Sequence, residues 1–271
     1  MPVNNPILRH WQIEIRVFYK NLSLLQQQLN ADAIHDLRVS IKKLRSYLKI
    51  YIALSGKEDT EGLFSETRKL FSLFGRHRNI EMSRKLLQSF PGTNKQSLNS
   101  VLAYLQLLLD QVSEYCREIL CHYKNEDLDK LTTLVEQSPT QYNTEETIKT
   151  VRGLIASSME NINHNLKHFR EKSHLIRKDL KNIFYWVKTF ENDPVLTKPL
   201  VKLIDKILDH LGNIQDHEVM IKNLKIFRKT ILSRGIAEYN QVETIESDAK
   251  NKKEILLEKA NKLTEELIKG L

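Results

Sequence analysis

The sequence predicts an all-α protein: two related antiparallel helical bundles with pseudo-twofold internal symmetry. Three observations lead there. Apolar residues recur at three- and four-residue spacing along almost the whole chain. Glycine and proline, eight and six in 271 residues, mostly punctuate those periodic segments. Two short patterns recur in the same order in the two halves, and a repeat of this kind decides architecture before local detail does.

Taken in order, Trp11, Ile15, Phe18, Leu22, Leu25 and Leu29 make one helical stripe, and Ile34, Leu37, Ile41, Leu44, Leu48 and Tyr51 the next. Asn30-Ala31-Asp32 separates them, with Asp32 placed to cap the second helix. Further helices are predicted over 60–75, over 77–90 with a stop at Pro91-Gly92, and over 95–123, where Leu98, Val101, Leu105, Leu108 and Val112 are spaced for burial. Residues 124–144 are polar and broken, as at Ser138-Pro139-Thr140. A single domain is therefore expected, with a first helical repeat over 1–124, a connection over 125–144 and a second repeat over 145–271. Within the second repeat, Asp193-Pro194, Gly212 and Gly235 interrupt the pattern, and residues from 237 onward form one long charged helix.

The first recurring pattern is His35-Asp-Leu-Arg38-Val-Ser-Ile-Lys42, which returns as His174-Leu-Ile-Arg177-Lys-Asp-Leu-Lys181. The second is Phe74-Gly75-Arg-His-Arg-Asn79-Ile-Glu81, which returns as Leu211-Gly212-Asn-Ile-Gln-Asp216-His-Glu218. Two landmarks in register point to two related bundles packed together. Gly75 and Gly212 are expected to end helices, with Asn79 and Asp216 capping the next ones.

Helical geometry turns the first pattern into a surface. At about 100° per residue, His35, Arg38, Lys42, Arg45 and Lys49 fall within a sector of roughly 80° beside the apolar face. A basic stripe flanking the core suits the wall of a groove. The second copy repeats it with His174, Arg177, Lys181 and Lys188, and Lys178 lies near its edge. It is the weaker copy, since Phe184 stands in the place of Arg45 and Asn182 in that of Lys43. Arg76, Arg78 and Lys85, and in the second half Lys222, Lys225 and Arg228, are candidates to extend the basic lining. Lys85 and Lys222 share the spacing of the two glycines.

If the two stripes face one another, like charges repel unless an anion lies between them. The overall charge agrees: 42 Lys and Arg against 34 Asp and Glu give a net +8. A linear phosphate polymer fits such a channel. Arginine offers forked donors, lysine a point charge, and histidine a donor that an anion would keep protonated. Nucleic acid obeys the same counterion logic, but no stacking platform or nucleic-acid motif is present, so it ranks second.

These residues resemble those of the CHAD domain family, named for its histidine-bearing helices and known as an α-helical polyphosphate-binding domain. The likeness runs over nearly the whole chain. His35 to Arg45 resembles the family's first His-x-x-Arg-basic helix and His174 to Tyr185 the second; Leu73 to Ile80 and Leu211 to Asp216 resemble its Leu-Gly-x-x-Arg-Asp segments. The resemblance implies two bundles around a basic channel that holds polyphosphate, in some bacteria at polyphosphate granules. It supports His35, Arg38, Lys42, Lys43 and Arg45, then His174, Arg177 and Lys181. The chain departs from the family at Asn79, Gln215, Phe184 and Asn182, which weakens the expected symmetry of binding.

Catalysis is not expected, and neither is a cofactor or metal. Gln12-Ile-Glu14-Ile-Arg16 only approaches the Glu-x-Glu-x-Lys of triphosphate tunnel enzymes and sits in a helical stripe. His164 and His168 lack the glutamate of a zinc helix. No Gly-x-Ser-x-Gly or dinucleotide fingerprint occurs. A helical scaffold whose charged tail binds another protein remains the alternative class. Two cysteines, Cys116 and Cys121, and the absence of a leader or a long apolar run lead to the expectation of a cytoplasmic protein without a membrane span.

Overall fold

The computed structural model describes residues 5–90, 98–137, 144–190, 196–232 and 237–270. Helix α1 (Pro6–Gln27) begins with proline in its first turn and with Asn5 as cap, whose Oδ1 accepts from Ile7 N at 2.8 Å. Helix α2 (Ala31–Ser55) is capped by Asn30, whose side chain accepts from Ala33 N at 2.8 Å. Asp32 therefore lies inside the first turn and is not the cap. The helix ends at Gly56, which adopts φ 67° and returns its N–H to Ile52 O.

A short 3-10 helix over Glu58–Phe64 leads into α3 (Ser65–Gln88), followed by α4 (Asn99–His122). The segments expected to break at Gly75 are one continuous helix. The connection expected to be irregular carries α5 (Glu126–Glu136), anchored by buried Leu128, Leu131 and Val135. Next come α6 (Thr144–Leu166) and α7 (Phe169–Thr189), then two long helices, α8 (Lys198–Thr230) and α9 (Ala237–Lys269). Helix α8 runs straight through Gly212, so Asn79 and Asp216 are interior helical residues and not caps. Pro91-Gly92, Ser138-Pro139-Thr140, Asp193-Pro194 and Gly235 fall outside the described residues.

No strand occurs among the described residues. The main core gathers the apolar faces of α1, α2, α6, α7 and part of α8, with Trp11, Phe18, Leu37, Ile41, Leu180 and Trp186 sealed from solvent. A second core, of Leu87, Val101, Leu105, Leu224, Phe227 and Val242, fastens α3 and α4 to α8 and α9. Every residue of the predicted stripe on α2 is buried. Helix α2 packs on α1, α3, α6 and α7, and α3 packs on α8. The residues predicted to carry cations therefore lie on helices that meet. No helix among the described residues is long and apolar enough to cross a membrane.

Candidate functional site

A buried hydrogen bond, Trp186 Nε1 to Ser46 O at 2.9 Å, ties α7 to α2. Since each helix carries its cations beside its apolar face, closing this seam brings the two basic stripes together. Lys42 of α2 and Lys181 of α7 become close neighbours. Burial, then the charges of Lys181, Arg38, Arg177 and Arg78, push the Lys42 ammonium down to about 6. Burial and Arg177 push Lys181 down to about 8, although its hydrogen bond to Lys42 opposes the shift.

Arg38 sits at the heart of the cluster. One Nη1 donates to the Phe71 carbonyl, and the guanidinium lies 4.1 Å from the centroid of the Phe71 ring, while Lys42 Nζ lies 5.7 Å from it. Burial and Arg78 lower Arg38 to about 10. Gly75 accounts for this close approach: a Cβ there would lie 2.7 Å from Arg38 Nη1. On the other side, a Cβ at Gly212 would lie 3.7 Å from Arg177 Nη2. An arginine from the neighbouring helix thus approaches each of the two glycines, but only at Gly75 would a Cβ collide with it.

Arg177 is lowered by burial against the opposing pull of Asp216 and Tyr185, with Arg78 lowering it further. Burial raises the Asp216 carboxyl, which Arg78 and Arg177 pull back down. His35 is held below its ordinary value by burial first and Arg78 second. Arg78 of α3 is thus the charge common to both stripes. The Nε atoms of Arg38 and Arg177 are both buried without a hydrogen-bond partner.

In front of the cluster opens a cleft of about 490 Å³. Lys42, Arg45 and Lys49 line it from α2, and His174, Arg177, Lys178 and Lys181 from α7. Phe71 lines it too, with Arg38 stacked against its ring. An adjoining hollow shares Arg177 and Lys181 but is walled by Asp205, Asp209 and Asp216 of α8, whereas Glu218 is, among the described residues, the single acid lining the cleft, so positive potential concentrates on the first side.

Four other candidates are elsewhere. Lys43 turns to α1, where its Nζ lies 2.7 Å from the buried Glu14 carboxylate. Lys85 pairs with Glu81 at 2.7 Å and lines a different pocket. Lys188 is exposed with its Nζ 5.4 Å from the Phe184 ring centroid, and Lys222 is exposed on α8; neither lines the cleft. Arg228 is also engaged, with Glu243 at 2.9 Å and Glu246 at 3.1 Å.

Sequence reasoning missed Phe71 and Tyr185 and misassigned Asp216. A signal existed for two of them: Phe71 precedes Gly75 by four residues and Tyr185 follows Lys181 by four, which places each on the face of its helix partner. Among the described residues, no group of three or more His, Cys, Asp or Glu side chains is placed to hold a metal ion.

Fold and site together define an all-helical protein that lines one partly desolvated cleft with cations from two helices, backed by Arg78 of a third. Residues 12–225 match the model of the CHAD domain family, so the chain belongs to the CHAD domain family. Its fold is similar to that in the crystal structure of the CHAD domain from the plant Ricinus communis, with a TM-score of 0.69 and 14% sequence identity, covering 96% of this chain and 90% of that one. No curated protein sequence gives a significant match.

Proposed function

We propose that this protein binds inorganic polyphosphate in the cleft between α2 and α7, without catalysing its turnover. The family is known for polyphosphate binding, and the carrying observation is the mutual repulsion among Arg38, Lys42, Arg78, Arg177 and Lys181. Five cationic side chains share a half-buried space; Asp216 opposes them from the adjoining hollow and Glu218 lines the cleft itself. A polyanion offsets that repulsion by supplying several negative oxygens at once, and raises the lysines back to their charged form.

In this account His174, Arg177, Lys178 and Lys181 hold one side of the chain of phosphates and Lys42, Arg45 and Lys49 the other, while Arg38 and Arg78 provide charge from behind. His35 adjoins Arg78 at the margin. The two repeats, over 1–124 and 145–271 with 125–144 between them, are the two walls of a pseudo-twofold channel. The acids of α8 turn the phosphate chain away from the neighbouring hollow. Recognition of a phosphate backbone needs no base contacts, and of the two aromatic side chains that line the cleft, Phe71 and Tyr185, the first is already covered by Arg38. The expected setting is cytoplasmic, at or near polyphosphate granules.

The test is titration with long-chain polyphosphate and with a DNA duplex of equal phosphate count across a salt series. The account expects tighter binding of polyphosphate at every salt concentration and a steep loss as salt rises. Equal binding of both polymers would contradict it, and a salt-insensitive protein partner would point to the scaffold class.

A further inference from the structure

A second polar pocket, of about 250 Å³, lies where α2 begins and is separate from the cleft. Its walls come from the first residues of α2, from α3 and from α4. Three features mark it. Arg84 and Arg117 both line it, and no described residue pairs with either guanidinium; the Arg84 Nε is buried and unpartnered. His77, only 7% exposed, lines it as well, with its Nδ1 buried and without a partner. Helix α2 opens at its rim through Asn30 and Ala31, and the first N–H groups of a helix have no intrahelical acceptor.

Lys85 and Glu81 also line the pocket, but they neutralise each other at 2.7 Å. Two unpaired guanidiniums and a buried imidazole at the positive end of a 25-residue helix make a site for an anion. Guanidinium forks fit tetrahedral phosphate oxygens two at a time. The volume equals that of about eight waters, enough for one phosphate with a small substituent and too little for a polymer.

We propose that this pocket is a second anion site, taking one phosphate group through Arg84, Arg117, His77 and the first-turn N–H groups of α2 that the Asn30 cap leaves open. It does not depend on the cleft for its chemistry. The phosphate has two sources: a free phosphate or phosphomonoester, or the end of a polyphosphate chain that runs on from the cleft. The seven helical steps from Ala31 to Arg38 along α2 rise about 10 Å, within reach of such a chain.

The experiment follows the His77 imidazole resonances by 1H–15N NMR while orthophosphate, and separately polyphosphate, is added. Three proteins are compared: wild type, Arg84→Ala with Arg117→Ala, and Lys42→Gln with Lys181→Gln. With free phosphate as the source, orthophosphate shifts His77 in wild type and in the cleft variant, and the arginine variant binds at least about tenfold more weakly. With the polymer end as the source, only polyphosphate shifts His77, and both double variants lose the effect. Arg117→Gln, exposed on α4, is the second variant should the double change disturb folding, and it weakens binding severalfold in either case. His77 resonances that neither ligand moves, or that move equally in the arginine variants, overturn the proposal while leaving the cleft's own titration to stand or fall separately.

Discussion

Gly75→Ala separates stability from binding. In a helix interior alanine is favoured over glycine by about 1 kcal/mol, and α3 is helical on both sides of Gly75. Against that gain, the new Cβ would lie 2.7 Å from Arg38 Nη1, 3.4 Å from Cζ and 3.5 Å from Nη2. All three atoms belong to the tip of a long side chain, so the guanidinium swings away and the backbone stays in place. The move sacrifices its bond to the Phe71 carbonyl and its stacking on the Phe71 ring. Net stability therefore changes by less than about 1 kcal/mol. Polyphosphate affinity behaves differently, because a charge-assisted contact is worth about 1.5–3 kcal/mol, or roughly 10- to 150-fold. Gly212→Ala is the internal control. Its Cβ would stand 3.7 Å from Arg177 Nη2, an ordinary contact, so this variant gains about 1 kcal/mol and keeps its affinity. Urea unfolding and calorimetric titration on both variants give the comparison. Equal binding by Gly75→Ala and Gly212→Ala would refute the idea that Gly75 exists to seat Arg38.

Four further outcomes follow from the same geometry. With Lys42 lowered to about 6 from 10.5, the ligand-free folded protein binds fewer protons than the unfolded chain between those values, so its melting temperature rises with pH across that window and falls toward pH 6. Polyphosphate reverses the shift and takes up protons, so affinity is highest near pH 6 and declines as pH passes about 8, where Lys181 also discharges; titration calorimetry in buffers of different ionisation enthalpy measures the uptake. Lys43→Ala leaves Glu14, with its side chain 5% exposed, unpaired and costs about 1–3 kcal/mol of stability by urea unfolding, with unchanged polyphosphate affinity. Trp186→Phe removes the bond to Ser46 O that closes the α2–α7 seam; a loss of about 1–3 kcal/mol, with weaker binding as the two lysines separate, is expected from the same two assays.

The helices were legible because the apolar spacing of this chain is regular: Ile34, Leu37, Ile41, Leu44, Leu48 and Tyr51 are all buried along one face of α2. The basic stripe was legible for the same reason, since Lys42 and Arg45 need only the helical repeat to be placed beside that face. Gly75 was misjudged because a glycine after an apolar run carries the same local signature whether it ends a helix or receives a side chain from another one. Which applies is decided by Arg38, a residue 37 positions away. The expectation that Asp216 caps a helix rests on the same break, which α8 does not have. Lys43 came in through family resemblance, although one residue beyond Lys42 means about 100° of rotation, enough to point it at α1 and Glu14. Phe71 and Tyr185 carry no charge, and their role depends on which cations the packed helices bring to them.

The claim that one cleft unites the cations of α2 and α7 is tested most directly by titrating polyphosphate into the wild type and into Arg38→Ala, Arg177→Ala and the double variant. The account predicts that each single change weakens binding by about tenfold or more, that the two effects are coupled and not additive, and that the slope of affinity against salt falls in the double variant. Unchanged affinity and unchanged salt dependence in the double variant would contradict it.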